Sequence, residues 1–215
     1  MGNTLDDELM EFIRSTTEGA SREDWSSVVL GERSPPYNYR FDHVAEVARV
    51  AQYLARGTSA DKEVIQVAAW LHDAAKPSLG GVKNHAEASA ELASTLLSEA
   101  GLDRRFIDSV CDAIRKHAGL TLSKPLEPIE AQIIWEADKI VKLGAIGFIH
   151  YVLNSIQMSA GKTLQDLSKE AKDYLPLAEK IAASMSTKKG KKLAKTRLET
   201  LRRISDALEE ELDLQ

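Results

Sequence analysis

Residues 64–76 read VIQVAAWLHDAAK, an apolar helical run closed by a vicinal histidine and aspartate, His72-Asp73. The helical period seen here recurs from end to end of the chain, and no stretch shows sustained alternation of period two between turn signals. The expected class is therefore all-α, with about eight or nine helices. One opens over residues 4–18, the next carries His43 and ends at Gly57, and others run near 61–75, 84–100, 104–117, 127–142, 145–158, 163–185 and 188–213. The prolines of GERSPPYNY, residues 31–39, forbid regular structure before the His43 helix.

Working outward from His72-Asp73, two more polar residues fall on apolar helix faces. His43 precedes Val47, Val50 and Leu54, and Asp138 lies one turn after Ile134 and one turn before Val141. A carboxylate facing a core is costly unless protonated, paired or bound to metal, so Asp138 needs a partner. A cation meets that need. Two imidazoles and two carboxylates suit an octahedral divalent ion that keeps positions for water and substrate oxygen. Manganese is the first expectation, iron, magnesium, cobalt or nickel also fit, and tetrahedral zinc is less favoured. Taken singly, His43 reads as a hydrogen-bonded core histidine, and Asp73 and Asp138 as solvated or capping residues.

A second tier surrounds this set. Lys76 sits one turn after the His-Asp pair and can swing toward a phosphate, or be an ordinary lysine at a helix C-terminus. Arg40, three residues before His43, is a candidate phosphate clamp because a guanidinium grips two oxygens at once. His85 shares a helix face with Ala88, Leu92 and Leu96, and His117 ends the stripe Ile107, Val110, Ile114. Both point inward, and a satisfied core histidine is one reading of either. His150 has no companion polar residues on its helix and reads as structural. Gly80-Gly81, following Pro77, puts a flexible loop after the His-Asp helix as a substrate entrance.

These residues resemble the HD-domain metal-dependent phosphohydrolases, whose signature is a histidine, a His-Asp pair and a distant aspartate. NYRFDHVAEVARVA (38–51), AAWLHDAAK (68–76), NHAEASAELA (84–93), DAIRKHAGL (112–120) and WEADKIVKLGAIG (135–147) are similar to successive family blocks, covering about residues 37–157. The tail MSTKKGKKLAKTRLETLRRI (185–204) resembles the last helices of a branch that hydrolyses nucleoside triphosphates. That branch carries a His-Asp where Tyr39-Arg40 stand and an aspartate where Val141 stands. The resemblance implies metal ligands His43, His72, Asp73 and Asp138, with Asp73 also able to take a proton from water, and a phosphate role for Lys76; for His85 and His117 it implies phosphate contact or general-acid work, with ligation of a second metal as the alternative. It implies hydrolysis of a small nucleotide, as a nucleoside triphosphate pyrophosphohydrolase or a 5′-nucleotidase. The alternatives it carries are a two-metal cyclic nucleotide or dinucleotide phosphodiesterase, di-iron oxidation, and a nucleotide-binding regulator without turnover.

The 215 residues suffice for one compact domain, with residues about 160–215 as terminal helices packed on it or at a dimer interface. Lone Cys111 cannot form an intrachain disulfide and reads as a buried apolar thiol in a reducing cytosol. The acidic start MGNTLDDELMEF lacks the basic and apolar regions of a signal peptide, and LGAIGFIHYVL (143–153) is too short to span a bilayer, so a cytoplasmic protein is expected. A net charge of −5 argues against general nucleic-acid binding. The basic run Lys188, Lys189, Lys191, Lys192, Lys195, Arg197 is read as a solvated helix face. Ala194, Leu198, Leu201, Ser205, Leu208 and Leu212 form a narrow apolar stripe, for a second subunit in a homodimer or for the preceding helix.

Overall fold

A computed structural model describes residues 4–24, 37–77, 82–158 and 161–213, and every regular element among them is a helix. In chain order these are α1 (Leu5–Asp24), α2 (Tyr39–Ala55), α3 (Lys62–Leu71), α4 (His85–Glu99), α5 (Arg104–Lys116), α6 (Ile129–Ile140), α7 (Gly144–Met158), α8 (Leu164–Ala183) and α9 (Lys188–Leu212). The all-α expectation holds. Residues 31–36 of the proline loop and Gly80-Gly81 lie outside the described residues. None of the described helices is long and apolar enough to cross a membrane.

Short polar side chains set the helix starts. Asp61 accepts from the backbone N–H groups of Glu63 at 2.9 Å and Val64 at 3.2 Å, and Asp103 accepts from Arg105 at 2.9 Å. Thr163 and Asp166 cap each other reciprocally at the start of α8. Each bond satisfies a donor that the helix itself leaves open.

The residues group into two closely packed units. The first comprises Met1–Ala118 with Leu126–Ala137. Within it α3 lies against α1, α2, α4 and α5. Val64, Ile65, Val67, Ala68, Ala69, Trp70 and Leu71 are all buried and Gln66 alone of residues 64–71 is half-buried, which is why this stretch has almost no polar face. α4 buries mainly small side chains, Ala86, Ser89, Ala90 and Ala93, which lets Val110, Cys111 and Ile114 of α5 close in.

Helix α3 ends at Leu71, four residues before the limit expected from sequence. The N–H of Ala74 donates to the Leu71 carbonyl at 3.1 Å and that of Lys76 to Asp73 at 2.8 Å, a tightened turn that stops the α-helix. His72 is consequently the C-cap residue, and Asp73 stands just past the helix.

The second unit comprises Gly119–Pro125 with Asp138–Gln215. Here α9 lies on α8 and α7, burying Gly190, Ala194, Leu198, Leu201 and Ser205. Both α8 and α7 thus lie against the apolar stripe, of which Leu208 and Leu212 are only half-buried.

Candidate metal centre

Four helix ends in the first unit bring six polar side chains together. Arg40 and His43 come from the first turns of α2, His72 and Asp73 from the end of α3, His85 from the first position of α4, and His117 from the C-cap of α5. His43, His72, Asp73 and His117 are buried, and His85 is half-buried at the edge. Sequence spacing put His85 on a stripe with Ala88, Leu92 and Leu96. The buried face of α4 is instead Ala86, Ser89, Ala90, Ala93 and Leu97, which leaves the His85 stripe on the flank and its ring within reach of solvent.

The Asp73 carboxylate lies at the centre of this group. Its Oδ2 faces His43 Nε2 and His72 Nε2, each at 3.9 Å, and Arg40 Nη1 at 3.4 Å. Its Oδ1 faces His85 Nε2 at 3.7 Å and His117 Nε2 at 3.6 Å. Ligand atoms of His43, His72 and Asp73 lie within 4.8 Å of one another, as do those of Asp73, His85 and His117. One carboxylate thus separates two three-residue groups, each with the composition of a divalent-metal site.

Ring tautomers follow from the backbone. Nδ1 of His72 lies 2.7 Å from the Ala69 carbonyl, and Nδ1 of His117 lies 2.6 Å from the Ile114 carbonyl. A carbonyl only accepts, so Nδ1 carries a hydrogen, and Nε2 is the nitrogen each ring turns toward Asp73. Metal-binding histidines are held in this way, with the second nitrogen fixed by a backbone or carboxylate acceptor. The distances fit as well: two ligand atoms each about 2.1 Å from one ion stand at most about 4.2 Å apart. The observed 3.6–3.9 Å separations exceed a direct hydrogen bond and fall inside that limit.

Two further contacts steady the group. The Tyr39 ring stacks on His43 with centroids 5.9 Å apart, and the Arg40 guanidinium lies over the same tyrosine, 5.1 Å from its centroid. The Ala75 N–H donates to Ser89 Oγ at 3.1 Å, tying the turn that bears Asp73 to α4. Sequence reasoning passed over both Tyr39 and Ser89. The available signal for Ser89 was a hydroxyl one helical turn after His85, among the alanines of the buried face.

The remaining expected residues are placed as follows. Lys76 is half-buried, and its N–H is bonded to the Asp73 carbonyl. Arg40, expected as a phosphate clamp, has its guanidinium against Asp73. Asp138 belongs to the second unit, where it is buried and its carboxylate accepts from the ammonium groups of Lys139 and Lys142. Near the start of α2, burial first and the Asp42 charge second push the Tyr37 phenol above its ordinary range.

Comparison with known proteins adds three findings. The HD domain family model matches residues 40–143. No curated protein matches the chain. Among solved structures, Bacillus subtilis YpgQ in complex with ADP is 18% identical, with a TM-score of 0.65 over 95% of this chain and 98% of that one. A predicted HD superfamily hydrolase from an uncultured Thermotogales bacterium is 22% identical, with a TM-score of 0.60 over 95% and 91% of the two chains. An HD-superfamily hydrolase from Bacillus thuringiensis is 18% identical, with a TM-score of 0.62 over 96% and 100%. At these identities the likeness is one of fold.

Proposed function

We propose that this chain, whose residues 40–143 match the HD domain family model, hydrolyses a phosphate bond of a small nucleotide. The reaction would be that of a nucleoside triphosphate pyrophosphohydrolase or a 5′-nucleotidase. The observation that carries the reading is the pair of Nε2 atoms, from His43 and His72, converging on Oδ2 of a buried aspartate. ADP bound to the structurally similar Bacillus subtilis YpgQ supports a nucleotide as the ligand class.

His43, His72 and Asp73 are the residues that would hold a divalent ion, manganese first, and the family pattern adds Asp138. When bound, the ion polarises a phosphoryl oxygen and lowers the pKa of water. The chain's own groups supply the rest. The Ala69 carbonyl keeps the His72 ring in the ligating tautomer, and Arg40 holds Asp73 in place by a charge-assisted contact. His85, half-exposed beside buried His117, is suited to meet a phosphate oxygen or to pass a proton to the leaving group. Lys76, one turn from the pair, adds a positive charge for the substrate phosphates.

A second reading rests on a separate observation. Oδ1 of Asp73 meets His85 and His117 just as Oδ2 meets His43 and His72, which supports a two-metal phosphodiesterase acting on a cyclic nucleotide or dinucleotide. Two manganese equivalents per chain would favour it, and one would favour the first reading.

The deciding experiment incubates the protein and its His72→Ala and Asp138→Ala variants with manganese and nucleoside mono-, di- and triphosphates. Anion exchange then resolves the products. Pyrophosphate with monophosphate identifies the pyrophosphohydrolase, and free phosphate from monophosphates identifies the nucleotidase. Full activity in Asp138→Ala would overturn the ligand set, and tight binding without product would mark a regulator.

A further inference from the structure

The two ends of α3 face different surroundings. Its last turn leads into His72 and Asp73, whereas its first turn, about 14 Å away along the axis, opens onto a cavity of about 790 Å3 within the first unit. The start of α1, the last turn of α2, the first turns of α3 and the residues around the start of α5 form its walls. A volume of this order suits a small organic ligand, for which sites run to roughly 300–1,000 Å3.

Part of the wall is apolar. Val67 is buried, while Leu5, Leu102 and Phe106 are half-buried, so apolar surface of three side chains is left uncovered by the chain. The polar part is a run of linked groups. Trp70 Nε1 donates to Asp6 Oδ1 at 2.5 Å, Gln66 Nε2 donates to the same oxygen, and Gln52 Nε2 donates to Gln66 Oε1. These bonds hold the Asp6 carboxylate in one orientation while engaging only one of its oxygens. No described residue donates to Oδ2 of Asp6 or to the Glu63 carboxylate. Asp103, whose Oδ1 accepts the first backbone N–H groups of α5, adds a third negative charge at the rim. Lys62 supplies the single positive one, and three carboxylates against one ammonium group leave the lining with a formal charge of −2.

We propose that this cavity is a second ligand site, for a small aromatic ammonium ion. Its ring system would lie on Val67, Leu102 and Phe106, and its ammonium group would donate to Asp6 Oδ2 with Glu63 beside it, a charge-assisted contact. The lining selects against the other chemistries. A phosphate would be repelled by the three carboxylates, and a neutral apolar molecule would shield Asp6 from water without giving Oδ2 a donor. The site is therefore complementary to a charge opposite to that of a nucleotide, and it involves none of the residues around Asp73.

An aminoacridine, a fluorescent flat cation at neutral pH, and anthracene carboxylate, an anion of similar size, are the probes. Fluorescence titration of the full chain gives their affinities, and the shift in melting temperature gives the stabilisation. The cation is expected to bind at least about tenfold more tightly than the anion and to raise the melting temperature. Asp6→Asn keeps an acceptor for Gln66 and Trp70 but removes the charge, and should weaken the cation about tenfold. Glu63→Gln, at the exposed rim, should weaken it about threefold, and Lys62→Gln should strengthen it about twofold. Glu211→Gln, a charge change in the second unit, should leave the affinity unaltered. Circular dichroism establishes that each variant is folded. No binding by the wild type, equal binding of the anion, or an affinity unmoved by both Asp6→Asn and Glu63→Gln would overturn the proposal. An equal loss in Glu211→Gln would overturn it as well, by reducing the effect to net charge.

Discussion

Arg40 Nη1 stands 3.4 Å from Oδ2 of Asp73, and both residues are more than nine-tenths buried. The guanidinium therefore touches the same oxygen that faces His43 and His72, and compensates a carboxylate that has little access to water. Removing one partner of a buried pair leaves the other charge uncompensated, at a cost of about 3–5 kcal/mol. Arg40→Met should lose about that much stability in urea denaturation with chelator present. Added manganese should restore part of it, because the ion supplies the missing positive charge.

Ser89 is the second support of the Asp73 turn. Its hydroxyl takes the Ala75 N–H, and Ser89 itself is fully buried. Ser89→Ala leaves that N–H without its acceptor, so a loss of about 1–3 kcal/mol is expected in urea denaturation. A looser turn should also weaken manganese binding. Unchanged affinity in a destabilised variant would restrict Ser89 to a structural role.

Cys111 is buried on α5, with its Sγ 3.3 Å from the Ala90 carbonyl. Desolvation pushes its thiol above the ordinary range, which disfavours the reactive thiolate. An aromatic disulfide reagent should consequently react slowly with the native protein and stoichiometrically in urea. Rapid native labelling would contradict the burial.

Glu170 of α8 accepts both from Lys162, at 2.8 and 2.9 Å, and from the Tyr151 hydroxyl of α7. The Lys162 bond first, and the Tyr151 bond second, hold its carboxyl below the ordinary value of 4.5. A depressed folded-state pKa means that the contribution is fully present above the unfolded value and disappears as pH falls through the lower folded one. Glu170→Gln should thus be less stable than the wild type at neutral pH. The difference should shrink in denaturation curves taken progressively below pH 4.5.

Much of this architecture is legible along the chain. The helix starts at Asp61, Asp103, Thr163 and Thr187 coincide with short polar residues ahead of periodic apolar runs, because capping is a local interaction. The end of α3 was not legible in the same way. AAK continues a good helical pattern, and the turn at Ala74 and Lys76 forms where Ser89, fourteen residues on, takes the Ala75 N–H. The burial of His43, His72, Asp73 and His117 was likewise foreshadowed by apolar neighbours at helical spacing, since period alone decides which residues share a face.

Which residues meet is a different matter. Sequence treated Arg40 as a phosphate ligand and His85 and His117 as a separate tier, whereas all three converge on the two oxygens of Asp73. It left the α9 stripe open between a second subunit and the helix before it, and within the chain both α8 and α7 lie on α9. It read Asp138 as a ligand of a divalent metal, and the groups that meet its carboxylate in the second unit are the ammonium groups of Lys139 and Lys142. By itself the sequence determined the class of fold, the extent of most helices and the set of polar residues facing inward, because these follow from periodicity and capping within a few turns of chain. Only the tertiary structure decided the pairing of those residues, because a contact such as Arg40 with Asp73 joins groups 33 residues apart and depends on how separate helices pack.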